Sequence, residues 1–477
     1  MNYSTVLDQN PVFRKICAVA DQLGMETYVV GGFVRDYFLQ RKDAYFDIDI
    51  VTVGSGIQLA TNVAGLYGKE KSLKVFKNFG TAMFRLKNIE IEFVGARKES
   101  YNRDSRKPVV ENGTLQDDQN RRDFTINTMA FGLNAGNYGD LIDPFNGMKD
   151  LKQKQIRTPL DPDITFSDDP LRMMRGIRFA AQLNFDITPE TFEAIIKNAE
   201  RIKIVSQERI TGELEKIIMT DTPSYGFKLL FHSGLLKYIF PEMVDLYGVD
   251  KVSGRAHKDN FYHTLQVLDN VATKSDDPWL RWAAIMHDIA KPVTKKYDQQ
   301  AGWTFHGHEE IGARMVPRLF RKLKLPLHEK MRFVQKMVRL HLRPIALVSS
   351  RITDSAVRRL VFEAGDDIEK LMILCKADVT SKNPEKVNKY LNNFAKVEQK
   401  IIEVEEKDKV RNFQPPIRGE EIMKIFNLPP GREVGIIKNE IKEAILDGKI
   451  RNSRASAEKY MLEIGKELGL KSETKNQ

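Results

Sequence analysis

The chain has 477 residues, 75 Lys and Arg against 65 Asp and Glu, a formal charge of +10, and 42% hydrophobic and 29% charged residues. That length suits about three domains, each able to bury its own core, and no run approaches the ~18 consecutive apolar residues of a membrane span. With only Cys17 and Cys375, the chain has neither a disulfide framework nor a cysteine-rich zinc site, and its positive excess admits an anionic partner without naming one. Met1 to Lys15 lacks a basic segment leading into an apolar stretch, so no secretory leader is expected and the chain is read as cytosolic.

In chain order, a β-favouring run from Thr27 to Val30 ends in Gly31-Gly32, and Phe46 to Val53 alternates Asp with Ile and Val. Thr81 to Leu86 and Ile89 to Val94 are joined by Lys87-Asn88, which reads as a hairpin. From about Pro170 the period changes: Leu171, Met174 and Ile177 recur every three residues, and mixed apolar and charged helical patterns continue to the C-terminus. The expectation is an α+β chain, with a mixed N-terminal domain followed by a mostly helical body.

The sharpest local signal is Gly31-Gly32-Phe33-Val34-Arg35-Asp36 followed by Asp47-Ile48-Asp49. Side chains two apart on a strand share a face, roughly 6–7 Å apart, so Asp47 and Asp49 can jointly ligate hard divalent ions while Ile48 faces the core. Adjacent glycines after a strand admit a ligand close to the backbone, and the following helix offers free N–H groups to phosphate oxygens. These are the parts that hold a nucleoside triphosphate with its Mg²⁺, and a carboxylate pair with two metals can activate an attacking hydroxyl and stabilise leaving pyrophosphate. Glu92, in Ile91-Glu92-Phe93, is read as an exposed strand residue in preference to a third acid beside the metals.

The segment Gly31 to Asp49 resembles the signature of the polymerase-β-type nucleotidyltransferases, in the form shared by class II tRNA nucleotidyltransferases (CCA-adding) and bacterial poly(A) polymerases. Arg121-Arg122-Asp123-Phe124-Thr125-Ile126-Asn127 is similar to the family's RRDFTIN motif, which implies sugar and triphosphate contacts for Arg121, Arg122, Asp123 and Asn127. Asp143-Pro144-Phe145-Asn146-Gly147 through Asp150-Leu151 resembles the hinge motif between head and neck, and Asp168-Asp169-Pro170-Leu171-Arg172 the EDxxR motif, with Asp in place of the usual Glu at 168. Ser206-Gln207-Glu208-Arg209-Ile210 matches the last neck motif. The resemblance implies a nucleotidyltransferase head with a mixed sheet over residues 1–150, an all-α neck over 151–250, an HD-type helical body over 251–410 and a helical tail over 411–477, tRNA-contacting by analogy. The activity implied is template-independent addition of CCA to tRNA from CTP and ATP, with Mg²⁺.

Choosing C and A without a template is a problem of hydrogen-bond polarity. Both bases show an amino donor beside a ring-nitrogen acceptor, and U and G show the reverse. One carboxylate and one guanidinium can therefore accept C or A and leave U or G facing like partners. Asp169 and Arg172 occupy the positions that carry this role in the family, and their i,i+3 spacing puts them on one helix face. Asp169 before Pro170 also reads as an N-cap with proline at the first helical position, and the two roles are compatible. Arg175 and Arg178 continue the stripe; such a stripe is ordinarily a solvated face, and Arg172 is the member expected to read the base, with Arg35, Gly31 and Gly32 holding phosphates. The charged loop Arg103-Asp104-Ser105-Arg106-Lys107-Pro108 lies where the family carries a loop associated with the switch from C to A addition. Asn78 to Phe84 departs from the basic strand of the poly(A) polymerase branch.

Seven of the eight histidines fall between His257 and His341. His263, the pair His287-Asp288, His308 and His341, with Asp378 downstream, are similar in order to the HD-type metal phosphohydrolases. Imidazole and carboxylate ligands imply a second divalent transition metal there, with metal-bound water as nucleophile. Arg314 to Arg343 contains ten Lys or Arg and one acid, Glu329, and reads either as a track for tRNA phosphates or as a solvated helical face. The competing readings are a poly(A) polymerase or partial CC- or A-adding enzyme, and an HD phosphohydrolase with a nucleotide-sensing head.

Overall fold

The computed structural model describes residues 2–41, 47–102, 105–252, 255–349, 352–381, 383–408, 411 and 413–472. The chain divides into two compact units, Met1–Val244 and Asp245–Gln477.

After a helical turn at Ser4–Leu7, the first unit carries helix α1 (Val12–Leu23), whose Phe13, Ile16, Cys17 and Ala20 form one buried stripe, and it ends on Gly24 in the left-handed region. Seven strands follow: β1 (Thr27–Val30), β2 (Asp47–Thr52), β3 (Lys74–Phe76), β4 (Thr81–Leu86), β5 (Ile89–Gly95), β8 (Ala130–Gly132) and β9 (Leu141–Ile142), the numbers 6 and 7 belonging to a separate hairpin, β6 (Arg97–Asn102) and β7 (Ser105–Asn112). The sheet order is β3-β4-β5-β2-β1-β8-β9, with β2 and β5 parallel and every other pair antiparallel. Phe46 lies outside the described residues; the expected strand starts at Asp47.

Two helices attach to this sheet between strands, α2 (Gly32–Phe38) after β1 and α3 (Gly56–Gly65) after β2. Helix α3 covers β2, β4 and β5, and α1 packs on α3. Under α3 lie Ile48, Ile50, Ile91 and Phe93, all buried, and each contributes about 1.5–3 kcal/mol by leaving water. The approach of α3 is close enough to require glycine: a Cβ on Gly56 would meet Val94 C and Gly95 N at 2.8 Å. The opposite face, carrying Asp47, Asp49 and Val51, is left for the site.

After the hairpin, α4 (Leu115–Asn120) starts on a Thr114/Asp117 capping box. The helices that matter next are α5 (Pro162–Asp168), α6 (Leu171–Leu183) and α7 (Gln207–Ile218). Helix α6 buries Leu171, Met174 and Ile177, the three residues that signal it in the sequence, and packs against α7.

The second unit is mostly helical, with two short antiparallel strand pairs: α8 (Asn260–Ala272), α9 (Pro278–Met286), α10 (His308–Lys322), α11 (Glu329–Leu340), α12 (Asp354–Ala364), α13 (Ile368–Ala377) and α14 (Pro384–Asp408) precede a tail of α15 (Gly419–Phe426), α16 (Arg432–Asp447) and α17 (Arg454–Glu467). Asp259 and Asp277 cap α8 and α9 through their carboxylates. Phe261, Trp282 and Phe320 are fully buried in its core. The tail is tied to α12 by Arg359, which donates to Glu443 at 2.5 Å and Asp447 at 2.7 Å. Among the described residues no helix is long and apolar enough to cross a membrane.

Candidate active site and metal centre

In the first unit, the parallel pairing of β2 with β5 sets Asp49 opposite Glu92. Asp47, Asp49 and Glu92 therefore share one face of the sheet and line one cleft of about 910 Å³. Glu92 is not the exposed acid its local sequence suggests; it is half-buried at the floor of that cleft. Burial first, then Asp47 and Asp118, hold the Asp49 carboxyl above its ordinary range against the pull of Arg122. Burial and the Asp49 charge do the same for Glu92. Clustered carboxyls that resist ionisation together are relieved by a divalent cation, and an all-oxygen set suits a hard one.

Gly31 closes the β1 end of the cleft at φ +70°, where a Cβ would stand 3.0 Å from Arg122 Nη1 and 3.6 Å from Asp49 Oδ2. Both the left-handed backbone and the close approach require glycine. The RRDFTIN segment is wired to the same place. Arg35 donates to Asp36 at 2.7 and 2.8 Å and to Asn127 Oδ1 at 2.8 Å. Asn127 donates to Asp123 at 2.9 Å, and Asp123 accepts from Arg175 Nε at 2.7 Å. Burial opposes ionisation of Asp123, but Arg175 and Asn127 outweigh it and draw the carboxyl down to about 2.

Arg121 and Arg122 are both held by Asp118, a fully buried carboxylate on α4 that the motifs do not single out. Its i,i+3 and i,i+4 spacing to the two arginines was a readable signal. Asp169 and Arg172 line the cleft together with Arg175, Arg178, Arg97 and Arg209. The stripe on α6 is therefore not a solvated face: Arg178 donates to buried Glu213 at 2.5 Å and lies 3.9 Å from the Phe179 ring centre. The cap expected of Asp169 takes a shifted form. Pro170 is the N-cap of α6, and the Asp169 carboxylate accepts from Leu171 N–H at 3.2 Å. Arg172 donates to the Arg121 carbonyl at 2.6 Å, which fixes the guanidinium at the cleft wall. Arg103 and Asp104 of the charged loop lie outside the described residues.

In the second unit, His263, His287 and Asp378 form one group of donor atoms and Asp288, His308 and His341 another, the atoms of each group lying within 4.8 Å of one another. Asp288 stands between them: Oδ2 is 3.2 Å from His287 Nε2 and 3.4 Å from His263 Nε2, and Oδ1 is 3.2 Å from His308 Nε2 and 3.8 Å from His341 Nε2. Helix ends place these residues, with His287, His341 and Asp378 at the C-caps of α9, α11 and α13 and His308 at the start of α10.

Three of the imidazoles are set by backbone carbonyls. His287 Nδ1 lies 2.7 Å from Ala284 O, His308 Nδ1 2.7 Å from Phe305 O, and His341 Nδ1 2.6 Å from Val338 O. A carbonyl can only accept, so each Nδ1 carries the proton and each Nε2 turns inward, as metal-binding histidines require. His308 Nε2 and His341 Nε2 then face each other at 3.3 Å, and buried His287 Nε2 points at Asp288 Oδ2 and Asp378 Oδ1, 3.2 and 3.6 Å away. Burial pushes His341 down to about 4, keeping its lone pair available. This donor set fits a borderline divalent metal.

Residues 27–157 match the poly A polymerase head domain, 184–246 the probable RNA and SrmB-binding site of polymerase A, and 260–383 the HD domain. The chain is 30% identical over 348 residues to the A-adding tRNA nucleotidyltransferase of Deinococcus radiodurans, covering 70% of this chain and 76% of that protein. It belongs to the tRNA nucleotidyltransferase family. Another member, the multifunctional CCA protein of Nitrosococcus oceani, is 33% identical over 75% of this chain and 86% of its own length. The fold is shared with the Thermotoga maritima CCA-adding enzyme solved with tRNA, at a TM-score of 0.60 and 23% identity over 97% of this chain and 99% of that one. The motifs that carry the family resemblance thus lie in a nucleotidyltransferase whose helical second unit bears an HD domain.

Proposed function

We propose that this chain adds C and A to the 3′ end of tRNA, the RNA 3′-hydroxyl attacking the α-phosphate of CTP or ATP with release of pyrophosphate. The observation that carries the reading is the convergence of Asp47, Asp49 and Glu92 with the Gly31 turn and the α6 arginines in one cleft. Asp47 and Asp49 would hold Mg²⁺, with Glu92 against Asp49. Bound there, the metal would lower the pKa of the attacking hydroxyl and stabilise charge on the phosphoryl oxygens. The Gly31-Gly32 turn, Arg35 and the Asp118-anchored pair Arg121 and Arg122 grip the triphosphate. Asp123 and Asn127 keep Arg35 and Arg175 aligned along it, and Arg178 on Phe179 closes the cleft. Asp169 and Arg172 read the base edge, the carboxylate accepting from the amino group and the guanidinium donating to the ring nitrogen. The activity belongs in the cytosol, where its substrate is.

Relatives named for A addition alone and for the complete activity both match this chain, so A addition to tRNA already ending in CC is the second reading. Incubation with tRNA lacking CCA, tRNA ending in CC and an unrelated RNA, each with one labelled nucleotide, separates them. Incorporation of C on the first substrate supports the complete reaction; A on the second alone supports the partial one; poly(A) on the unrelated RNA overturns both.

The second unit supports a metal-dependent phosphohydrolase acting on phosphorylated RNA ends, with His263, His287, Asp288, His308, His341 and Asp378 as ligands. The basic face of α10 and α11, where Arg314, Arg332 and Arg339 line a shallow hollow, is a candidate track for RNA phosphates.

A further inference from the structure

The sheet that carries the carboxylates ends in a feature the nucleotide cleft does not use. Strand β3 is the sheet edge, and residues 74–80 are all exposed. Two of them are large aromatics, Phe76 at 43% and Phe79 at 66% exposure. From Lys69 to Phe79 four lysines stand against one acid, and among the described residues no carboxylate pairs with Lys71, Lys74 or Lys77.

Register places this edge on the catalytic face. Asp49 is opposite Glu92, Glu92 opposite Met83 and Met83 opposite Lys74. One row further, Val51, Val94, Thr81 and Phe76 are successive partners, and the first three line the cleft. Paired residues share a face, so Lys74 and Phe76 project on the side of Asp47 and Asp49. Edge lysines alone would be explained by protection against pairing with another chain, but exposed phenylalanines work the other way.

We infer that the β3 edge is a stacking platform for the unpaired 3′-terminal nucleotides of the RNA, with Phe76 and Phe79 against bases and Lys74 and Lys77 on phosphates. The inference rests on the reading of the first unit as an RNA nucleotidyltransferase. Displacement at the α-phosphate is in line, so the attacking hydroxyl approaches from the side opposite the leaving pyrophosphate. In that reading the triphosphate, and so the leaving pyrophosphate, lies on the β1 side of the cleft, against Gly31 and Arg122. The RNA end therefore enters from the β5-β4-β3 side. Three inter-strand spacings separate β2 from β3, about 14 Å, a span of about four stacked nucleotides. A platform there would steady a short flexible end whatever its bases, because every base has a π-face.

The test compares wild type with Phe76→Ala, Phe79→Ala, the double variant, Lys74→Ala/Lys77→Ala and Phe76→Tyr. Substrates are tRNA lacking CCA and tRNA ending in CC, with 2-aminopurine in place of the unpaired base that precedes the CCA position for fluorescence. Loss of an aromatic is expected to raise the KM for tRNA about tenfold and to abolish the stacking-dependent fluorescence change. The KM for ATP and the melting temperature should hold, and Phe76→Tyr should restore binding. Unchanged KM for tRNA, a rise in the KM for ATP instead, or a wild-type dimer that Phe76→Ala converts to monomer would each overturn the inference. Wild type and Asp47→Ala run in parallel keep the two readings apart: wild type that extends no RNA ends the nucleotidyltransferase reading, whereas wild-type extension with indifferent Phe variants ends only this one.

Discussion

Asp123 joins Asn127 and Arg175 in the cleft of the first unit, and its replacement gives a prediction with a sign in pH. The carboxyl is drawn from 3.8 to about 2, with burial opposed chiefly by Arg175 and Asn127. A depression of that size corresponds to about 2 kcal/mol of folding stability at pH 7, trimmed toward about 1–2 kcal/mol because the Arg175 side chain is 36% exposed and screened. The folded-state value is the lower one, so this contribution is fully present above the unfolded value near 4 and is lost as pH falls from about 4 through about 2. Asp123→Asn keeps the shape and removes the charge. For a domain of this size it should lower the melting temperature by about 3–8 °C at pH 7, and the gap to wild type should narrow by roughly half at pH 3. Because Arg35 and Arg175 lose their common anchor, the KM for CTP and ATP should rise as well. Thermal unfolding from pH 7 to pH 3 with steady-state kinetics at pH 7 is the assay. A gap that stays constant with pH, or no gap at all, would refute the reasoning.

Gly31→Ala forces a side chain into a left-handed position 3.0 Å from Arg122 Nη1; nucleotide titration should show affinity for CTP and ATP falling about tenfold, and unchanged affinity would contradict the placement of the triphosphate. Arg172→Ala should lose rate together with C-over-U discrimination, measured by competing labelled CTP and UTP; a variant that is slow but fully selective would remove Arg172 from base reading. His287→Ala should lose bound divalent metal by elemental analysis and any phosphatase activity while nucleotide addition persists, and retained metal would count against the proposed ligand set.

What was legible in the sequence divides by the range of the interactions. Strand β2 is written in its own alternation, because Ile48 and Ile50 must go under α3 while Asp47 and Asp49 turn away. The β4-β5 hairpin likewise carries its own turn, with Lys87 at φ +52°. The burial of Glu92 comes from a parallel partner about forty residues away, which no local pattern records. Arg175 and Arg178 look like a solvated stripe until the segment after α4 and helix α7 supply Asp123 and Glu213 from elsewhere in the fold. The HD residues could be listed by order alone, but the division into two donor groups around Asp288 depends on where five helix ends meet. Phe76 of β3 gave no sequence signal, since only strand register shows that it shares a face with Asp49.

The central claim is that Asp47 and Asp49 drive nucleotide transfer onto RNA. Its most direct test is extension of tRNA lacking CCA with labelled CTP and ATP by wild type and by Asp47→Ala, with equal folding of the two checked by thermal unfolding. The account predicts stepwise addition by wild type, dependent on a divalent cation, and none by the variant. Undiminished extension by Asp47→Ala would contradict it.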